Sequence, residues 1–390
     1  MKNLFDKKQD CCGCEACVNV CPQQVIQMKS DEEGFFYPSI IDSEKCVGCG
    51  RCKVVCPIKN VHAVDGFNES GIAGYSTSND EVLSSASGGL ASALSKEIIE
   101  LGGVVYGVLY SDDCNDILYG RADCLEQLKR FKTSKYAQSR KYDVYKQIQN
   151  DLKNDRIVLF IGLPCEVNAL RLFLKADYEK LYICSLICHG PTSPEVHKFY
   201  CNKLSEINTS GISSFSVRYK LKGWKPYYIR AVFKDGNEHL EEFSKSAYGK
   251  AFIYLKRPSC NVCKIKRSAI NSDLTIGDYH LAADGKHLPY NPNGVSSAMI
   301  HTSKGRELID CLKDFYYEDV PVRNVLYSGA YSKAIPQKRN RKEFGRVFAD
   351  KGLDAACNLR SCYIIESEDR FFNFLRRTGS KIKQFLKGKR

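Results

Sequence analysis

Two short cysteine runs constrain this chain more than anything else in it. Cys11, Cys14, Cys17 and Cys21-Pro22 follow the spacing C-x2-C-x2-C-x3-C-P, and Cys46, Cys49, Cys52 and Cys56-Pro57 repeat it. Thiolates spaced this tightly wrap three corners of one iron–sulfur cubane, while the chain around the proline carries the fourth thiolate to the other cubane. The runs therefore predict two [4Fe–4S] clusters. Cys11, Cys14, Cys17 and Cys56 hold the first; Cys46, Cys49, Cys52 and Cys21 hold the second. Structural zinc also takes four cysteines, but a duplicated run with both prolines in place points to clusters. Gly13, Gly48 and Gly50 let backbone come close to sulfur. Cys12 is out of register with the repeat and reads as a bystander.

The rest of the composition sets the compartment. The chain has 20 cysteines in 390 residues, and its first residues, Met1 to Asp10, show no apolar leader stretch. Reduced thiols in a cytosolic setting are metal ligands or redox groups more often than disulfides, so a cytoplasmic location is expected. No apolar run reaches the ~20 residues needed to span a bilayer. The net charge is +13, of which residues 370–390 carry +8 and residues 338–346 carry +4. The remaining chain is close to neutral, which argues against nucleic acid as a partner. In the tail, Phe371, Phe372, Phe374, Leu375, Ile382, Phe385 and Leu386 alternate with basic residues. That pattern fits peripheral contact with an anionic membrane face, or a helix docked on the protein or on a partner.

The pattern divides the chain into a small α+β two-cluster ferredoxin domain over residues 1–62, a polar linker over 63–71, and an α/β core with a mixed sheet and helices. The core is read in two parts, 72–155 and 156–335, followed by a basic extension over 336–390. Strands are expected at Ile72–Ser76, Val104–Tyr110, Ile157–Ile161 and Tyr182–Ile187, with helices at Glu81–Leu101, Asp143–Asn154, Cys165–Leu174 and Pro194–Ser205. Phe215–Leu221, Tyr227–Lys234 and His239–Phe243 read as antiparallel strands turning at Asp235-Gly236. Leu274–Tyr279 and Ser296–His301 read as further strands, and Arg306–Phe315 as a helix.

A second cysteine set lies in the core. Cys165 follows a strand and opens a helix, whose N-terminus favours a thiolate. Cys188 ends the next strand. If those strands are parallel neighbours, both cysteines sit at one carboxyl edge of the sheet, where open α/β folds place ligands. Cys260-x2-Cys263 offers two more sulfurs, flanked by Lys256, Arg257, Lys264, Lys266 and Arg267, whose charge would offset that of a cluster. By spacing alone, a third cluster, a zinc knuckle and ordinary packing cysteines all stay open. Cys114, Cys124, Cys184, Cys201, Cys311, Cys357 and Cys362 read as packing or surface residues.

The segments Phe160–Glu166, Leu186–Pro191, Arg257–Cys263 and Ser272–Asp278, in that order, resemble the beta-subunit family of coenzyme F420 hydrogenases and dehydrogenases. Ser85–Gly89 and Ser134–Ser139 resemble its N-terminal signatures. The resemblance spans about residues 70 to 320. It implies an FAD-dependent iron–sulfur oxidoreductase that exchanges hydride with a deazaflavin such as coenzyme F420 or with another organic substrate. It further implies a third [4Fe–4S] cluster on Cys165, Cys188, Cys260 and Cys263. Two departures, Glu166 in place of the usual Gln and the run Asp278-Tyr279-His280-Leu281, leave the hydride partner open.

Within that resemblance, Ser87, Gly88 and Gly89 at a helix start offer backbone N–H groups to a flavin pyrophosphate. Ser134, Lys135, Tyr136 and Gln138 are the other flavin candidates, with Lys135 and Tyr136 otherwise read as solvated loop residues. His189 is the candidate proton carrier, or a neighbour that hydrogen-bonds the cluster surroundings. The alternative functions are an electron-transfer subunit serving a partner enzyme and an accessory protein of polysaccharide production. The oligomeric state is not readable from the sequence.

Overall fold

A computed structural model describes residues 2–370, so the aromatic and basic pattern of 371–390 lies outside the described residues. The core is an eight-stranded mixed sheet. Its strands are β1 (Ser70–Ser76), β2 (Val104–Tyr110), β3 (Ile117–Ala122), β4 (Val158–Gly162), β5 (Leu181–Leu186), β6 (Leu274–Asp278), β7 (Ser296–Ile300) and β8 (Phe315–Val320). They lie in the order β8-β1-β7-β6-β5-β4-β2-β3. The four central strands β2, β4, β5 and β6 are parallel to their neighbours within that group. The outer pairings are antiparallel.

Alternation along the central strands separates two apolar layers, as a pleated sheet buried on both faces requires. Val105, Leu159 and Cys184 face the helices Leu90–Glu100 and Ser303–Asp310. Tyr106, Phe160 and Ile183 face the helices Val144–Lys153 and Pro164–Leu174. The second layer also takes in Cys14, Ala16 and Val55 from the cysteine-rich N-terminal module. That module holds a short sheet in which Ile26–Ser30 pairs antiparallel with Phe36–Ile40.

A three-stranded antiparallel sheet over Ile212–Lys220, Tyr227–Phe233 and Glu238–Glu242 stands beside the core, turning at Gly236 with φ +88°. It shares an apolar cluster with Val196, Tyr200 and Leu204 of the helix Pro194–Ile207.

Several local expectations change. The helix expected over Glu81–Leu101 is two helices, Asn79–Ser84 and Leu90–Glu100, separated by Ser85–Gly89. A Cβ on Gly88 would meet Gly74 O at 2.4 Å and Ser296 N at 2.6 Å, so this segment is pressed onto β1 and β7 and cannot continue the helix. The helix expected to reach Phe315 ends at Asp310, because Phe315 starts β8 and pairs with Ser76. Residues 63–71 are tied to the core: Val64 N donates to Ser268 O at 2.7 Å, and Glu69 pairs with Arg267 at 2.7 Å. Within 336–370, the helix Arg341–Cys357 buries Phe344, Phe348 and Leu353, so this stretch completes a core face. Among the described residues no helix is long and apolar enough to cross a membrane.

Candidate functional site

β4 and β5 are parallel neighbours, with Gly162 opposite Ser185. Cys165, in the first turn of the helix Pro164–Leu174, and Cys188, just past β5, therefore emerge at the same edge of the sheet. The 258–262 turn brings in Cys260 and Cys263 from across the chain. Gly190, with φ +94°, packs so closely on this turn that a Cβ there would lie 2.8 Å from Cys260 Cβ and 3.1 Å from its Sγ.

Cys165, Cys188, Cys260 and Cys263 all interact electrostatically. Burial pushes the Cys188 thiol up to about 12, and Lys266 opposes this. Lys266 Nζ donates to Cys188 O at 3.0 Å, and Gly190 N–H donates to Cys188 Sγ at 3.3 Å.

The first cysteine run lies against the same edge. Cys11, Cys14 and Cys17 each lie within electrostatic reach of Cys56, and Cys52 within reach of Cys49 and Cys21, while Cys17 is also within reach of Cys52. Cys12, read from the sequence as a bystander, stands between Cys14 and Cys165, whose sulfurs are its hydrogen-bonding neighbours. The two cysteine sets thus meet at Cys12. Of the remaining cysteines, 114, 184, 201, 357 and 362 are buried, and 124 and 311 are exposed.

Arg257 joins the two sets. It is 1% exposed, and no carboxylate pairs with it among the described residues. Its Nε donates to Cys11 O at 2.9 Å, one Nη donates to Gln138 Oε1 at 2.8 Å, and the other reaches Phe36 O at 3.0 Å and Cys11 Sγ at 3.6 Å. The guanidinium also lies over the Tyr37 ring, 4.2 Å from its centroid. Burying a cation without a counter-ion costs several kcal/mol, so a guanidinium aimed at a sulfur fits an anionic, thiolate-held group there. Among the described residues, no three His, Cys, Asp or Glu side chains gather closely enough for one metal ion. A cubane needs the wider spacing, because it carries one thiolate at each of four corners.

Further bonds fasten the first run to the core. Tyr145 OH donates to Cys14 O at 3.0 Å, Gln138 Nε2 to Gly13 O at 3.2 Å, and Arg140 Nε to Glu15 at 2.9 Å. Gln138, a flavin candidate by sequence, therefore faces the cysteine module. The second run differs: Cys46 and Cys49 are exposed, and a Cβ on Gly48 or Gly50 would meet nothing within 4 Å.

Beyond the core cysteines lies a cavity of about 820 Å³, within the range of cofactor sites. Cys188 and His189 form one part of its wall, and Ser87, Gly89, Ser134, Lys135 and Tyr136 line it elsewhere. Gly88 is packed beneath the wall, and Gly89 (φ +91°) starts the eleven-residue helix whose first turn faces the cavity.

The Ser85–Gly89 loop is held from behind. Lys220 Nζ donates to Ser87 O at 2.7 Å, and Arg218, paired with Asp278 at 2.9 Å, donates to Tyr136 OH at 2.9 Å and to Ala86 O. These contacts use up carbonyl groups, and the start of the helix Leu90–Glu100 lines the cavity together with Lys96, Lys129, Lys132 and Arg218. Tyr136 stacks on Phe252 with ring centroids 4.4 Å apart. Lys135 Nζ is already bound to Lys132 O at 2.7 Å, and burial lowers its pKa to about 7. Burial, then Lys256, lowers His189 to about 4, so its ring is neutral near pH 7. Glu166, the departure noted in the sequence, is buried on the Lys141 ammonium at 2.6 Å and accepts from Tyr119 OH at 2.7 Å.

Comparison with known proteins places these regions. Residues 155–322 match the family described as the C terminus of the coenzyme F420 hydrogenase/dehydrogenase beta subunit. Residues 10–60 match the family described as a 4Fe-4S dicluster domain. No curated protein matches the chain. Among solved structures, a chain of the F420-reducing [NiFe] hydrogenase complex from Methanosarcina barkeri aligns over 76% of this chain and 92% of its own. Its identity is 16% and its TM-score 0.45. The chain thus carries a segment similar to a 4Fe–4S dicluster domain over residues 10–60 and one similar to the C terminus of the coenzyme F420 hydrogenase/dehydrogenase beta subunit over residues 155–322.

Proposed function

We propose that this chain is an iron–sulfur flavoprotein oxidoreductase that moves electrons between an external carrier and an organic hydride partner such as a deazaflavin. The observation that carries this reading is the position of Cys188 and His189. Cys188 belongs to the core cysteine set and, with His189, to the wall of the cavity. A sulfur-held redox group and a ligand in the cavity would therefore be separated by little more than one side chain.

On this reading Cys46, Cys49, Cys52 and Cys21 hold the outer cluster, and Cys11, Cys14, Cys17 and Cys56 the inner one. Cys165, Cys188, Cys260 and Cys263 hold a third. Cys12 bridges the inner and core sets through its contacts with Cys14 and Cys165. FAD fits the cavity by size and by the helix N-terminus at Gly89. Bound flavin supplies a centre that exchanges two electrons as hydride and passes them on singly. Ser87 and Gly89 bind its phosphates, Gly88 keeps that loop seated, and Tyr136 and Ser134 flank the ligand. Lys135 shapes the wall through its backbone bonds. The neutral His189 ring offers a proton-accepting nitrogen at the wall.

Anaerobic purification followed by iron, sulfide and flavin assays tests this directly. The expected content is about twelve irons and one FAD per chain. About eight irons with no flavin would overturn the flavoprotein reading. Replacing Cys260 by Ser should remove about four irons, a third of the total, while the dicluster spectrum remains; unchanged iron would remove the core cysteine set from the proposal.

A further inference from the structure

The two cysteine runs differ in what surrounds them, and the second is open to a partner. Val47, between Cys46 and Cys49, is 64% exposed, and Val54, between Cys52 and Cys56, is 52% exposed. Two exposed apolar side chains thus stand beside the cysteines of the second run, and an apolar centre ringed by charge is a common design for a protein interface. Arg51, Lys53 and Lys59 lie in the same short stretch and are exposed. None of the three forms an ion pair with any described residue. The other cation there, Lys45, is already paired with Asp42 at 3.3 Å. Glu44 is the one other acid between residues 41 and 60. This stretch therefore presents exposed apolar side chains with an excess of positive charge, Arg51, Lys53 and Lys59 against Glu44.

We infer that this face docks an acidic one-electron carrier protein, with Val47 and Val54 at the centre and Arg51, Lys53 and Lys59 steering the encounter. The inference rests on the electron-transfer reading above and adds the class of partner. Charge complementarity decides the class: a carrier with carboxylates around its redox centre is attracted to this face, and a basic carrier is repelled. The transfer is one electron from the reduced carrier to the outer cluster. The carrier is oxidised and the cluster reduced, with no bond made and no proton moved.

The test uses the full, cluster-loaded chain and a reduced plant-type [2Fe–2S] ferredoxin as the acidic carrier, mixed anaerobically in a stopped-flow instrument. Bleaching of cluster absorbance is followed at low and at high salt. Steering by a charged face raises on-rates by at least about tenfold and is screened by salt. The second-order rate should therefore fall about tenfold with salt. The triple variant Arg51→Glu, Lys53→Glu, Lys59→Glu should fall by a similar factor at low salt and lose the salt dependence. Dithionite, a small reductant that needs no docking, should bleach both proteins equally, and their iron contents should match. A triple variant that reacts with ferredoxin as fast as the unaltered chain, or a ferredoxin rate that does not fall with salt, would overturn the docking inference. Clusters that dithionite also cannot reduce would instead overturn the electron-transfer reading beneath it.

Discussion

The same cysteine spacing occurs twice in this chain and is given two opposite environments. In the first run Cys14, Glu15 and Ala16 are buried, and Gly13, Cys14 and Glu15 each receive a hydrogen bond from a core side chain. In the second run Cys46, Val47 and Cys49 are exposed. A duplicated motif that kept both copies alike would give two interchangeable centres. Docking one copy on the core and leaving the other in water makes the pair directional: the inner set is adjusted by the protein and the outer set is available to a partner. Low dielectric strengthens every charge near the inner set, while water screens those near the outer one.

The largest expected effect tests whether the two runs exchange their fourth cysteine. Cys21→Ser, although it lies in the inner run, should abolish the outer cluster, and Cys56→Ser should abolish the inner one. Each should cost about four irons. Cys21→Ser should therefore slow reduction by a carrier protein far more than Cys56→Ser slows the first electron's arrival. Electron paramagnetic resonance of the two variants would show which signal is lost. Loss of the inner signal from Cys21→Ser would mean that each run closes on itself and that the comparison has been drawn between the wrong sets of sulfurs.

A smaller effect separates the two environments at matched glycines. Gly13 (φ +71°) and Gly48 (φ +65°) occupy the same left-handed region two residues after the first in-register cysteine of each run. A Cβ on Gly13 would lie 2.1 Å from Gln138 Nε2 and 2.9 Å from Arg257 Cζ, whereas one on Gly48 meets open space. Both alanine variants bear the left-handed penalty of about 1–2 kcal/mol. Gly13→Ala adds an overpacking cost of roughly 1–3 kcal/mol. In guanidinium titrations that follow cluster absorbance, Gly13→Ala should lose its midpoint well before Gly48→Ala. Equal midpoints would show that the first run is not fastened to the core as described.

Much of this arrangement was legible in the sequence because it is written locally. Apolar runs such as Val158–Gly162 announce buried parallel strands, and a proline and a cysteine directly after one place that cysteine at a carboxyl edge. In the eight-stranded sheet, the two strands not marked by the sequence pattern, Ile117–Ala122 and Phe315–Val320, are its edge strands. Each has a neighbour on one side only, and residues such as Gly120, Arg121, Glu318 and Asp319 break the apolar pattern that marks interior strands. The helix Arg341–Cys357 is masked in the sequence by its basic residues Arg341, Lys342, Arg346 and Lys351, although Phe344 and Phe348 face inward. What no local pattern carries is the target of a long side chain. Gln138 faces Gly13, 125 residues away, and Arg257 faces Cys11, 246 residues away. Both depend on how the module docks, which is decided by the whole surface of the core.

The smallest expected effect, and the sharpest test of the comparison, concerns Arg257. Its guanidinium is buried, lacks a carboxylate and reaches Cys11 Sγ at 3.6 Å, so its charge acts on the inner cysteine set without screening by water. A reduced cluster carries one more negative charge than an oxidised one, and a nearby cation favours it. Arg257→Gln should therefore lower the midpoint potential of the inner cluster, by on the order of 60 mV, the shift that corresponds to a tenfold change for one electron. Arg257→Lys keeps the charge but loses the fork that spans Cys11, Gln138 and Phe36, and should restore part of the potential. Redox titrations in the Cys21→Ser background, where the outer signal is absent, read the inner set, and those in the Cys56→Ser background read the outer one. The core set should move in the same direction by less, because Arg257 also acts on Cys260. The outer set should not move. Equal shifts at both runs would mean that Arg257 supports the fold as a whole, and the two environments would then differ in exposure without differing in electrostatics.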